Sequence, residues 1–272
     1  MKKKTPLILE ALFREYGKEY ICYLTHENAL QLLIATMLSA QCTDDRVNMV
    51  TKDLFKRYVT AEDFANADLK EMEKMIHSTG FYHNKAKNII ACCKELVEKY
   101  DGEVPNDMDA LTNLAGVGRK TANVVRGHIF HEPSVVVDTH VKRISKKLGL
   151  TKNDDPVKVE FDLMKELPKD CWIVWNTHII RLGRTICKAP TPKCELCFLQ
   201  EYCDDFQKRS KKAAREGGKV KNGKAAGKET KTKREGSSKA VEKKEGNSKA
   251  VKKTAGSSKA EAGKTVKKAE KA

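Results

Sequence analysis

The sequence predicts an all-α protein, and three observations carry that prediction. Apolar residues recur at helical spacing through the first 207 of the 272 residues. The one strand-like run, Ser134–Val137, is too short and too isolated to build a sheet. Aspartates and glycines punctuate the segments where helix starts and stops belong: Asp68, Asp138 and Asp155 as N-caps, Gly102 and Gly149 as stops.

Taken in order, Pro6–Tyr16 sets Leu9, Leu12 and Phe13 on one face, with charge on the other. Ala29–Leu38 is apolar nearly all round, which fits a central buried helix. Further helices are predicted over Asp45–Arg57, Thr60–Ala65, Leu69–His77, Phe81–Lys99, Asp107–Leu114 and Arg119–Ile129, then over Thr139–Leu148, Pro156–Leu167 and Cys171–Thr185. Short loops join them, as in a helix-on-helix architecture.

Charge divides the chain in two. Residues 1–207 carry 30 Lys+Arg against 30 Asp+Glu, whereas residues 208–272 carry 23 against 7, so the whole formal excess of +16 lies in the tail. The tail has no aromatic residue, Leu, Ile, Met or Cys. Such a segment cannot bury enough apolar surface to offset its ordering entropy and is expected to be disordered. A ten-residue repeat runs through it, beginning at Gly236, Gly246 and Gly256. That unit is too short for a packed solenoid. A polyelectrolyte arm on nucleic acid and a plain solubilising tail are both compatible with it. Ala29–Ala40 is too short and too polar to span a bilayer, and nine cysteines without a signal peptide do not fit a secreted disulfide framework. The expected location is the cytoplasm, with no membrane partner.

Cys187, Cys194, Cys197 and Cys203 stand with six, two and five residues between them. Four soft thiolates within seventeen residues can close around one centre. Zinc sites usually present two C-x₂-C pairs, and only one is present here. The wider loops suit a four-iron body; zinc and inert buried thiols remain the alternatives.

Leu114–Ala122 reads as a hairpin between two helices. Gly116 and Gly118 allow a tight turn and close ligand approach, and a helix start beside Arg119 and Lys120 offers backbone N–H groups to phosphate. Lys120 is either one more phosphate contact or a nucleophilic amine, because positive potential there favours the neutral form. Such a nucleophile needs a carboxylate to stabilise charge on the sugar, and Asp138, delivered by Val135–Val137 to a helix start, is the candidate. A simple N-cap would also justify that aspartate.

Together these features resemble the endonuclease III family of DNA glycosylase/AP lyases in the helix–hairpin–helix superfamily. The likeness spans about Pro6–Cys203 and rests on Leu38–Asp44, Gly80–Ala86, Gly116–Asn123, Val137–His140 and the cysteine spacing. It implies a helical barrel at residues 21–132 and a [4Fe–4S] domain made of residues 1–20 and 133–207, flanking a DNA cleft. It implies Lys120 as Schiff-base nucleophile, supported by Asp138. Gln41 would fill the gap left by a flipped lesion and Phe81 would wedge the opposite strand, although a core aromatic is an equal reading of Phe81. Gly116, Gly118, Arg119, His140, Lys188 and Lys193 would contact DNA. The implied enzyme is a monomer acting on double-stranded DNA with damaged pyrimidines or abasic sites, nicking 3′ to the lesion by β-elimination. Ala115 departs from the proline usual in relatives, and Cys42 from a small non-thiol residue. An adenine-mismatch glycosylase, an architectural DNA-binding protein and a redox carrier are the competing classes; Lys120 and the featureless tail speak against the first, the second leaves Asp138 and the cysteines unexplained, and the third would explain the cysteines alone.

Overall fold

The computed structural model describes residues 2–219, and within them the regular structure is helical, with no strand. Twelve α-helices run in order: α1 Thr5–Tyr16, α2 Ala29–Leu38, α3 Asp44–Arg57, α4 Ala61–Ala65, α5 Leu69–Ile76, α6 Tyr82–Tyr100, α7 Met108–Thr112, α8 Arg119–His128, α9 Thr139–Lys147, α10 Pro156–Glu166, α11 Trp172–Thr185 and α12 Asp204–Lys219. No helix among the described residues is long and apolar enough to cross a membrane.

The expected caps form. Asp68 accepts the Glu71 N–H at 2.9 Å, Asp138 that of Val141 at 2.7 Å and Asp155 that of Lys158 at 2.9 Å. Each satisfies a backbone donor that the helix itself cannot. Thr60 and Asp63 close a reciprocal capping box on α4. Gly102 and Gly149 both take positive φ, as expected of helix stops.

Two apolar cores result. The first gathers residues between Leu24 and Val125 around α2, whose Leu32, Leu33, Ala35 and Leu38 are fully buried. Each fully buried Leu contributes roughly 1.5–3 kcal/mol relative to exposure. The second joins Ile8, Leu9, Ala11 and Leu12 of α1 to Val135, α9, α10, α11 and Leu199. Ile129 and Phe130 still pack on the first core, whereas Tyr20 and Val135 pack on the second.

The extended Ser134–Val137 run finds its partners outside any sheet. The Asn123 amide of α8 donates to the Val135 carbonyl at 3.2 Å, and the Asn176 amide of α11 to Val136 at 3.0 Å. Ser134 Oγ donates to the Asn123 carbonyl at 2.9 Å. Buried backbone must be satisfied, and here one helix from each core does it.

Two expectations need correction. α6 begins at Tyr82, not Phe81: Phe81 is left-handed at φ 50° and 64% exposed, so it is not a core aromatic. The tail does not become disordered at residue 208, because α12 continues to Lys219. Asp204 and Asp205 favour its N-terminus, and Asp205 binds both Lys147 and Arg209 at 2.8 and 3.0 Å. The rest of the predicted disordered tail, with its repeat, lies outside the described residues.

Candidate active site and cysteine centre

The hairpin runs from α7 through Asn113–Gly118 into α8. Gly116 is doubly required: its φ is +73°, and a Cβ there would lie 2.7 Å from Asn88 Cβ on α6. Gly118 is different. Its φ is −98° and nothing stands within 4 Å of an added Cβ. It caps α8 without a side-chain hydrogen bond, which leaves the first-turn N–H groups without a capping side chain.

Lys120, exposed on the first turn of α8, and Asp138, half-buried at the start of α9, line one cleft of about 110 Å³. Its walls come from both cores: Tyr23, Leu24, Ser39 and Asp44 on one side, Asn176 and Arg184 on the other. Asp138 reaches the cleft while its Oδ1 holds the Val141 N–H, so capping and cleft lining coexist. Arg184 and Asp44, both lining the cleft, form an ion pair. Asp44, Tyr23, Asn176 and Arg184 were missed as cleft residues by sequence reasoning. Polar Asn176 and Thr177 in the middle of an apolar helical run were the available signal.

Arg119, expected to contact phosphate, also has a protein partner. Its guanidinium grips Glu160 of α10 through three hydrogen bonds of 2.8–3.1 Å, with Glu160 buried, and it stacks 5.2 Å from the Phe161 ring centre. A bidentate, partly desolvated pair of this kind is a strong tie. It fastens the hairpin helix to the second core, and the partner lies 41 residues away, beyond any local motif. His140 is half-buried; burial lowers its pKa, Asp138 opposes that, and Arg143 and Arg184 reinforce it. Its ring requires Gly183 on α11, where a Cβ would approach Nδ1 to 2.3 Å.

Gln41 is exposed and left-handed at φ 55°, in the loop after α2, and exposed Phe81 is left-handed at φ 50° after α5. Non-glycine residues rarely hold that conformation. Lys188 and Lys193 are exposed in the segment between Cys187 and Cys194.

Cys187, Cys194, Cys197 and Cys203 face one cavity. Burial raises the Cys197 thiol pKa, and the three other cysteines add to the rise, which reflects their proximity. Among the described residues no three His, Cys, Asp or Glu side chains are grouped to hold one metal ion. Arg143 approaches Cys187 Sγ at 3.5 Å and Arg209 approaches Cys194 Sγ at 3.2 Å, as donors to thiolate would. Elsewhere burial pushes Cys92 up to about 12 and Cys171 up to about 11, as for structural thiols.

The model of the HhH-GPD superfamily of base excision DNA repair proteins matches residues 34–169. Endonuclease III of Synechocystis sp. is 52% identical over 187 residues, 68% of this chain and 85% of that protein. A solved non-covalent endonuclease III–DNA complex superposes with a TM-score of 0.72 at 45% identity, covering 78% of this chain and 100% of that one. A trapped endonuclease III–DNA covalent intermediate gives 0.72 and 45%, covering 77% and 100%. With the hairpin, the cleft and these likenesses together, the chain belongs to the endonuclease III family within the HhH-GPD superfamily of base excision DNA repair proteins.

Proposed function

We propose that this chain is a cytoplasmic, DNA-associated base excision glycosylase and AP lyase that removes damaged pyrimidines, with Lys120 as nucleophile and Asp138 as its supporting carboxylate. The observation that carries the reading is one cleft lined by Lys120 from the first core and Asp138 from the second. A target base must leave the stack, because C1′ is inaccessible inside a duplex. The Lys120 amine then attacks C1′ and the glycosidic bond breaks, the base leaving with its bonding electrons and a proton. The sugar ring opens to an imine on Lys120. Loss of a C2′ proton and cleavage of the C3′–O bond release the 3′ strand, and water regenerates the amine. Asp138 stabilises positive charge on the sugar and assists proton transfer.

The DNA grip arises from the surface. Gly116, Gly118 and the free end of α8 suit a phosphate, and Lys188 and Lys193 are exposed to meet another. His140 stands beside Asp138 at the α9 start. Gln41 and Phe81 take the gap-filling and wedging roles. The two apolar cores support a barrel of residues 21–132 beside a second domain of residues 1–20 and 133–207. Cys187, Cys194, Cys197 and Cys203 would hold a [4Fe–4S] cluster, whose chemistry there is a covalent cross-link of the segment without an open substrate position. Arg143 and Arg209 supply its N–H donors.

Borohydride trapping on abasic duplex DNA tests the reading. Wild-type protein should form a covalent adduct, Lys120→Gln none. Asp138→Asn, which keeps a capping oxygen, should fold normally and lose about 10²-fold in rate. Undiminished trapping by Lys120→Gln overturns the nucleophile assignment.

A further inference from the structure

Lys85 lies on α6, away from the cleft, yet it is buried, at 7% exposure. Its ammonium donates to the Leu38 carbonyl at 2.8 Å and to the Thr79 carbonyl at 2.9 Å. No carboxylate is among these partners. The two carbonyls close the C-terminal ends of α2 and of the His77–Thr79 turn, where unpaired carbonyls and the helix dipole present negative potential. Burial lowers the lysine pKa and the nearby Cys42 opposes that. An ammonium kept out of water without a counter-ion is costly unless its hydrogen bonds are made. Such a residue needs an explanation beyond core filling.

The loops that leave these two carbonyls provide one. Three residues beyond Leu38 stands Gln41, and two beyond Thr79 stands Phe81. Both are exposed and left-handed, and Gly80 before Phe81 also has positive φ, at 70°. The two loops share no helix, and Lys85 reaches Leu38 across 47 residues of sequence. The backbone N–H of Lys85 also donates to the Phe81 carbonyl at 3.1 Å. One residue therefore grips the base of one loop and both flanks of the other.

We propose that Lys85 is a positioning residue that locks the Gln41 and Phe81 loops into one rigid two-pronged probe, so that both prongs enter the duplex together when a nucleotide is flipped. The proposal rests on the wedging roles assigned to Gln41 and Phe81. A lysine suits the task because one ammonium carries three donors and can serve two carbonyls at once. An apolar side chain of the same length would fill the space and leave both loop bases unheld.

The test compares base excision from a damaged duplex with strand nicking at an abasic site in single-stranded DNA, where no stack has to be opened. Lys85→Met should lose about tenfold or more on the duplex, the scale of a misplaced contact, and change about twofold or less on the single strand. Gln41→Ala should add little in the Lys85→Met background, because an unheld prong has little left to lose. Equal losses on both substrates, or full additivity with Gln41→Ala, overturn the proposal and leave the wedging roles standing. If Lys85→Met does not fold, the cycle is run in the wild type with Gln41→Ala and Phe81→Ala. A locked pair should be non-additive on duplex excision, and strict additivity refutes the lock. Should Gln41→Ala and Phe81→Ala both leave duplex excision unchanged, the wedging roles fail, and the Lys85 proposal falls with them.

Discussion

The two cores of the molecule are held by different means. The first is built from consecutive helices, α2 to α8, each contributing buried apolar side chains to its neighbours. The second draws α1 from one end of the chain and α9–α11 from the other, and it ends in a segment with little regular structure. Between Cys187 and Cys203 only two short 3₁₀ turns form, and Leu199 is the one fully buried residue. Packing at a few kcal/mol per buried side chain can fix a helix, but Leu199 and the half-buried Phe198 and Tyr202 offset little of an ordering cost of roughly 1–2 kcal/mol for each of seventeen residues. On the cluster reading proposed above, the four thiols of that segment supply a cross-link where the first core needs none.

Loss of the cross-link should give the largest effect. Cys197→Ala should remove the yellow-brown colour and most of the iron, and should expose residues 187–203 to protease while the first core stays protected. Cys92→Ser, in the first core, and Cys171→Ser, in the second, should each leave colour and iron unchanged, because both thiols are buried away from the cavity. Iron analysis near four atoms per chain is the expected wild-type value for the cubane. Stoichiometric zinc without visible absorbance, or a colourless Cys92→Ser protein, would break the comparison.

The same contrast explains how much could be read from the sequence. Helices of the first core announce themselves through local features: α2 through a run that is apolar nearly all round, α5 through its capping Asp68. Lys120, Asp138 and the four cysteines each sit in a short motif, and the structure sets the first two on one cleft and the cysteines on one cavity. What stayed hidden depends on distant partners or on backbone conformation. The Arg119 ion pair stayed hidden because Glu160 lies on another helix. Phe81 looked helical because its left-handed φ leaves no mark in composition. Residues 208–219 looked disordered because the contacts that anchor α12, Asp205 to Lys147 and Arg209 to Cys194, reach back across the chain.

A smaller effect is expected where the two cores meet. His128, near the end of α8, is held neutral by burial and by the nearby His26 and His131, with its pKa lowered to about 4, and its ring stands 5.5 Å from that of Tyr20, which packs on the second core. The unfolded chain takes up this proton near pH 6.5, whereas the folded one resists until about pH 4. Over that window the unfolded state binds more protons, so stability falls as pH falls. The full contribution, on the order of 3 kcal/mol, is present above pH 6.5 and lost on acidification to about pH 4. Urea melts at about pH 7.5 and about pH 4.5, on either side of most of that window, should show a steeper loss for wild type than for His128→Gln. Equal losses in the two proteins would mean that the contact between the cores does not depend on a neutral His128.

The smallest effect on folding, and the sharpest test of where the second region ends, concerns residues 220–272. They carry 17 Lys+Arg against 6 Asp+Glu. A truncation at residue 207 would remove Arg209 and with it the donor to Cys194, so it would confuse charge with the cysteine centre. Truncation after Lys219 keeps α12 and removes charge alone. That protein should keep its colour, its melting temperature and its single-turnover rate. Each phosphate neutralised by a lysine releases counter-ions, and log affinity for duplex DNA then falls with log salt at about −0.9 per phosphate. Removing even a few such contacts should flatten the slope and weaken binding to undamaged DNA at low salt. The ratio of lesion to undamaged affinity should hold or rise, since phosphate contacts carry no base information. An unchanged salt slope would leave the tail as a solubilising segment, whereas loss of colour would place the boundary of the cysteine-bearing region beyond Lys219.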